Sequence, residues 1–387
     1  MDRVVYLDNN ATTQVAPEVV EEMLPYFSKL YGNPSSMYQF GGSVAKKLKE
    51  ARCKVAELIG AEPEEIVFTS CGTESDNTAI WAALQSYPEK RHIITTKVEH
   101  PAVLNYCKFW ENQGWQVTYL PVDELGRLDL ELLKEKITSA TAIVSIMTAN
   151  NETGVIFPVE KIAEIVKSKG SIFHTDAVQA VGKIPIDMKH NHIDLLSFSG
   201  HKLHAPKGIG VLYIRKGVKF QPLIIGGHQE QNRRGGTENT PYIIGLGKAA
   251  ELAKNYLSEE NTRVKFLRDK LEQGIIERIP HIKINGDREA RLPNTLNISF
   301  AYVEGEAILL LLDREGICAS SGSACTSGSL EPSHVLRSMG INYNYIHGSI
   351  RFSLSRYTKE EEIDYVLDRL PVIINHLRNL SPYKAQE

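Results

Sequence analysis

The chain has 387 residues, of which 42% are hydrophobic and 24% charged, a composition that excludes extended disorder. Forty-four Lys and Arg against 47 Asp and Glu give a formal net charge of −3, which excludes the basic footprint of a nucleic-acid binder. Apolar runs such as Ala307–Leu312 are too short to span a bilayer, and MDRVVYLDNN lacks the apolar stretch of a secretory signal, so neither a membrane protein nor a secreted one is expected.

At roughly 150 residues per domain the length predicts two or three domains. Short apolar runs predict strands at Ile66–Ser70, His92–Thr96, Gln116–Leu120, Ala142–Met147, Ser171–Ala177, Leu195–Gly200 and Gly210–Arg215. Helical spacing falls between them, as in Leu130–Ile137 and Val159–Lys167. This alternation predicts an α/β fold with a mostly parallel sheet and helices on both faces. Pro241–Ile279 reads as a long helical stretch containing a domain boundary. Beyond it, Asn294–Phe300 and Ser349–Ser355 read as strands, and Lys359–Leu380 as a closing helix with Thr358 and Glu361 as its capping box. This part predicts a smaller α+β domain. The Ser- and Gly-rich segment Ala319–Ser329 predicts a mobile loop.

Ligands of open α/β sheets bind beyond the carboxyl ends of the strands, so polar residues just after strands are the candidates. Lys202 in SGHK leaves an apolar strand; it suits covalent attachment of pyridoxal phosphate (PLP), against the plain alternative of a surface lysine. Asp176 ends the preceding strand and suits the cofactor's pyridine nitrogen, where the alternative is a helix N-cap. Gln179 is placed to donate to the phenolic oxygen. Gly72 and Thr73 open a helix after a strand, a natural phosphate site to which Ser199 and His201 add donors. His100 in VEHP suits stacking and proton transfer, and Asn151 in ANNETG suits a cofactor or substrate oxygen, the alternative being an Asx-turn. Arg351 suits a bidentate grip on a carboxylate, if it is not simply a solvated strand arginine. The polar, Gly-rich stretch from Gly226 through Thr237 suits reaching a neighbouring subunit.

The five cysteines form no CxxC pair, so neither a disulfide framework nor a zinc site is expected, and no metal. Cys71, at a helix start, is a rival nucleophile. Cys325 sits in the Ser/Gly segment, where a free thiol has the reach to meet a substrate.

Taken together, YLDNNATT, FTSCGTESDN, VEHPAV, ANNETG, FHTDAVQAVGK, GHKLHAPKG, RRGGTEN, LPNT and SSGSACTSGSLEPSH resemble the cysteine desulfurases over the whole chain, closest to the nitrogen-fixation (NifS) type. The resemblance implies a fold-type I, aspartate aminotransferase-like PLP enzyme. Its large domain spans residues 15–260; its small domain spans 1–14 plus 261–387 and carries the Cys325 loop. It implies Lys202 as PLP carrier, with Asp176 on the ring nitrogen, Gln179 on the phenolate and His100 stacked on the ring. Thr73, Ser199 and His201 hold the phosphate, with Thr237 supplied by the other subunit of a homodimer. Asn151 and Arg351 bind the carboxylate of L-cysteine. Cys325 accepts the sulfur as a persulfide, L-alanine leaves, and a NifU-like scaffold for iron–sulfur clusters, including those of nitrogenase, receives the sulfur in the cytoplasm. Two departures are visible: Tyr38 where His is common, and Asn232 where Gly is common. The alternatives are a lyase or aminotransferase acting on selenocysteine or another amino acid, and a non-catalytic sulfur carrier.

Overall fold

The apolar runs between residues 66 and 214 assemble into one seven-stranded sheet in the computed structural model, which describes residues 4–321 and 332–381. Cys325 and most of the Ala319–Ser329 segment lie outside the described residues. Among the described residues the strands are β1 (Val5–Tyr6), β2 (Ile66–Thr69), β3 (His92–Thr96), β4 (Gln116–Leu120), β5 (Thr141–Ser145), β6 (Ile172–Asp176), β7 (Leu195–Ser199), β8 (Gly210–Ile214), β9 (Ile282–Ile284), β10 (Thr295–Phe300), β11 (Ile317–Cys318) and β12 (Ser349–Ser353). The large sheet has the order β2-β8-β7-β6-β5-β3-β4. Strands β3 to β7 run parallel, while β8 is antiparallel to both β7 and β2. Two reversals leave β2 running with the parallel set, so its carboxyl end opens on the same edge as those of β3, β5, β6 and β7.

Most of these strands are buried along their length, as expected for a sheet covered on both faces. Ile93, Ile143, Ile172 and Leu195 pack against Ala79, Ile80 and Ala83 of the helix Gly72–Ser86. Ile94, Val144, Phe173 and Leu196 point the other way, into a core that includes Val166, Leu246 and Ala250. A second core surrounds the antiparallel sheet β12-β10-β9 and takes in Leu271, Ile298, Phe352 and Leu370. Val5 and Leu7 of the N-terminal segment belong to it, while Val335 and Leu336 pack into the first core.

The long helical stretch is a helix Thr240–Glu259, a π-turn Glu260–Val264 and a helix Lys265–Arg278. The π-turn marks the change from the first core to the second. The closing helix is Glu360–Leu380, and its cap is shifted by one residue from the expected pair. The Glu362 carboxylate accepts the Lys359 N–H (2.8 Å), whereas Thr358 Oγ1 accepts the N–H of Ser355 (3.0 Å) and is thereby committed to the preceding turn. Among the described residues no helix is long and apolar enough to cross a membrane.

Candidate active site

The segments singled out after β2, β3, β5, β6 and β7 lie at the shared carboxyl edge of these strands. Asp176 ends β6, and Ser199 ends β7, followed by the short turn that carries His201 and Lys202. The helix Gly72–Ser86 starts just after β2, with Cys71 as its N-cap. A Cβ on Gly72 would lie 2.8 Å from Val178 Cγ2 and 3.6 Å from Ser199 Cβ, so this helix N-terminus presses on the loops that follow β6 and β7. Only glycine permits that approach, which brings Thr73, Ser199 and Asp176 to one place.

Lys202 Nζ donates to the carbonyls of Asn10 (2.5 Å) and Ala11 (2.7 Å). Asn10 is a hub that the sequence reading did not single out. Its carbonyl also accepts from Gln179 Nε2 (3.0 Å), and its Nδ2 donates to the Asn151 carbonyl (3.2 Å) and to Thr295 Oγ1 (2.9 Å). One side chain and one carbonyl thus tie Lys202, Gln179 and Asn151 to the second core. His201 Nδ1 lies 3.1 Å from Thr12 Oγ1 and so holds the same N-terminal segment.

Asp176 is not a helix N-cap. Its Oδ1 accepts the N–H of Val178 (2.8 Å) in a tight turn. In ANNETG the Asx-turn belongs to Asn150, whose Oδ1 accepts the N–H groups of Glu152 and Thr153 (both 2.9 Å). His100 caps the helix Pro101–Asn112, with Nδ1 accepting the Ala102 N–H (3.1 Å). Nδ1 is therefore unprotonated, and the ring's proton sits on Nε2 when the imidazole is neutral.

Arg351 is buried, not solvated. Nη2 contacts Asp8 Oδ1 at 2.8 Å and Nη1 donates to the Asn151 carbonyl at 3.0 Å. Thr237 lies exposed on the 226–239 loop. That loop is anchored by the Arg52–Glu230 and Arg234–Glu74 ion pairs, the second of which reaches the first turn of the helix Gly72–Ser86. Asn232 has φ of +63°, a left-handed conformation that Asn tolerates almost as Gly does, which accounts for that departure. The Tyr38 ring is exposed.

Burial sets the charge states. His100 is pushed down to about 4, chiefly by burial and then by the Lys202 charge, and His201 likewise to about 4. Burial pushes Asp176 above the ordinary carboxylate range, opposed by the Val178 N–H and by Lys202. Beside it lies Asp76, which the sequence reading also missed. Among the described residues, Asp76 Oδ1 is buried without a hydrogen-bond partner, 3.6 Å from His174 Nε2. Burial and the Asp176 charge hold Asp76 well above the usual range. His174 bonds Ser145 (2.8 Å) and Ser197 (2.9 Å) and is kept neutral by burial, at about 3. The result is a buried polar column along β5, β6 and β7, in which burial raises both carboxyls and the Asp176 charge raises Asp76 further. Of the two carboxyls in this column only Asp176 ends a strand, which is why the sequence pattern pointed to it and not to Asp76.

Glu99 and Glu152 flank His100 and Asn151. Burial raises them to about 8 and about 7. The Ser333 hydroxyl donates to Glu152 Oε2 (2.5 Å) while accepting the N–H groups of Val335 and Leu336, so it caps the helix His334–Ser338. A carboxyl whose folded pKa is raised stabilises the fold below its unfolded pKa of about 4.5, and that contribution fades as pH climbs towards 7. Glu152→Gln keeps an acceptor for Ser333 and removes this titration. The stability of the variant relative to the parent is expected to rise between pH 5 and pH 8, by roughly 2–3 kcal/mol, in paired urea unfolding curves. A constant difference across that range would show that Glu152 is not buried as a neutral acid.

The residues fit PLP on grounds visible in the side chains themselves. Among the described residues, Ser199 Oγ and Gln179 Oε1 are buried polar atoms without a hydrogen-bond partner, both at the edge where Lys202 and Asp176 converge. Buried polar atoms of this kind are costly unless a ligand satisfies them.

Residues 5–366 match the aminotransferase class-V family. The chain is 62% identical over 384 residues to a cysteine desulfurase of Trichormus azollae, covering 99% of this chain and 96% of that one. It is 60% identical over 380 residues to the cysteine desulfurase NifS of Azotobacter vinelandii, covering 98% and 94%. Among solved structures, a NifS-like protein superposes with a TM-score of 0.91 at 42% identity, covering 97% of this chain and all of that one. The strand-edge constellation and these likenesses agree, and the chain belongs to the aminotransferase class-V family and, within it, to the cysteine desulfurases of the NifS type.

Proposed function

We propose that this chain converts L-cysteine to L-alanine with PLP as cofactor, and that Cys325 takes up the sulfur as a persulfide for delivery to an iron–sulfur scaffold protein of the NifU kind. The observation that carries the reading is the convergence of Lys202 and Asp176 at adjacent strand ends, with the unsatisfied Ser199 and Gln179 oxygens beside them.

When bound, PLP supplies an electron sink for charge developing at the substrate Cα. Lys202 holds the cofactor and moves the Cα proton. Asp176 pairs with the ring nitrogen, Gln179 with the phenolic oxygen, and Gly72, Thr73, Ser199 and His201 with the phosphate. His100, neutral at physiological pH, offers an Nε2 proton for exchange. Arg351 and Asn151 hold the substrate carboxylate. The Cys325 thiolate attacks the substrate Sγ, so that an S–S bond forms as the Cβ–Sγ bond breaks. The electron pair of that bond stays on the carbon skeleton, which takes protons and leaves as L-alanine.

The division into a large domain of residues 15–260 and a small one of 1–14 plus 261–387 follows the two cores, except that Leu292, Val335, Leu336, Met339, Ile341 and Ile346 pack into the first. A homodimer is supported by exposed apolar side chains at Phe27, Tyr31, Met37, Tyr38 and Ile225, and by the exposed Thr237 that would serve a partner's phosphate. A reducing cytoplasm suits a thiol that must be free at the start of each cycle. The test is direct: the purified protein is expected to be yellow, and borohydride to fix the cofactor on Lys202. A protein that stays colourless with added PLP would contradict the reading.

A further inference from the structure

The Arg351 guanidinium is buried, with 4% of the residue exposed, and its five N–H donors are unequally used. Nη1 is held by the Asn151 carbonyl (3.0 Å) and Nη2 by Asp8 Oδ1 (2.8 Å). Nε is buried and has no hydrogen-bond partner among the described residues. A guanidinium meeting a dedicated structural carboxylate commonly engages it through two parallel N–H bonds. Here a single bond joins them, and a neighbouring donor is left unsatisfied at a cost that a ligand acceptor would remove.

Asp8 is placed by its backbone, not by the arginine. The segment after β1 runs beside β12, with Asp8 opposite Ser353, and the Asp8 carbonyl accepts the N–H groups of Ala11 and Thr12. Its carboxylate is more open than its partner, with 19% of the side chain exposed against 5% for Arg351. It is therefore the more solvent-exposed member of the pair, a negative group of the same chemical class as a substrate carboxylate, held on Arg351.

We propose that Asp8 is a resident counter-ion that competes with the α-carboxylate of L-cysteine and of L-alanine for Arg351. It sets a deliberately modest affinity for carboxylates and thereby favours release of the product amino acid. The inference rests on the reading of Arg351 as the carboxylate-binding residue. It makes Asp8 a positioning residue that acts through Arg351 and touches no reacting atom.

The test is Asp8→Asn, which keeps an oxygen for Nη2 and removes the charge. Propionate serves as a probe that has the carboxylate and no amine. In the holoenzyme, KM for L-cysteine and the inhibition constants of L-alanine and propionate are expected to fall together by roughly tenfold, the size of one charge-assisted contact regained by the ligand. The change in kcat should be much smaller. Thermal stabilisation by propionate, a readout independent of turnover, should strengthen in parallel. Asp8→Ser makes the same comparison if the Asn variant fails to fold. A residue that merely braces Arg351 predicts the opposite, and unchanged or raised constants in a folded variant would overturn the proposal. Arg351→Lys separates the two layers of inference. It should weaken propionate in both backgrounds; if it does not, the assignment of Arg351 fails, and the role of Asp8 falls with it.

Discussion

Lys202→Ala is expected to abolish useful turnover of L-cysteine, with kcat reduced by about 10³-fold or more, the range attributed to a positioned proton-transfer group. The fold should survive. Lys202 leaves β7 on a short turn whose Leu203 and Ala205 are buried, and its Nζ donates to the Asn10 and Ala11 carbonyls. The variant should still bind PLP through Asp176 and the phosphate donors, but borohydride should no longer fix the cofactor to the chain. Turnover within tenfold of the parent would remove Lys202 from the chemistry.

Asp176→Asn is expected to cost at least about 10²-fold in kcat and to weaken PLP binding, because an amide cannot hold the ring nitrogen protonated. The same carboxylate is embedded in a column with Asp76 and His174, where burial and the Asp176 charge raise Asp76 well above the usual carboxylate range. Asp76→Asn should therefore be mild, since it replaces a neutral acid by a neutral amide of the same shape. The contrast between two neighbouring carboxylates, one indispensable and one replaceable, is measurable by PLP titration of the cofactor-free chains. Equal losses in both would show that the column shares its charge differently.

Much of this site was legible because its chemistry follows strand ends. Apolar runs such as IVFT, TAIVS and LLSFS announce strands, and the polar residue that follows each one is forced to the sheet edge. Asp176, Ser199, Lys202 and His100 were found in that way. Asn10 and Asp8 were not, because β1 is only two residues long and its partner, β11, lies more than three hundred residues away. A pattern of period two has nothing to register in so short a strand. Glu152 and Asp76 were hidden for a different reason. Each reads as an ordinary polar residue, one in a loop and one in the second turn of a helix, and only tertiary packing reveals it as a buried acid. The antiparallel placement of β8 was likewise not readable from composition, since its GVLYI looks like any other buried strand.

The central claim is that sulfur leaves L-cysteine for one particular thiol. Among the described cysteines, Cys107 is buried and burial pushes its thiol up, while burial, followed by the charges of Asp313 and Asp8, raises Cys318; neither is disposed to act as a thiolate. Intact-mass and peptide analysis of the purified holoenzyme after a single addition of L-cysteine tests the claim most directly. The account predicts one additional sulfur on Cys325, matched by one equivalent of L-alanine in solution, and no alanine from Cys325→Ala. Alanine formed at the parental rate by that variant, or sulfur found on Cys71 in place of Cys325, would contradict it.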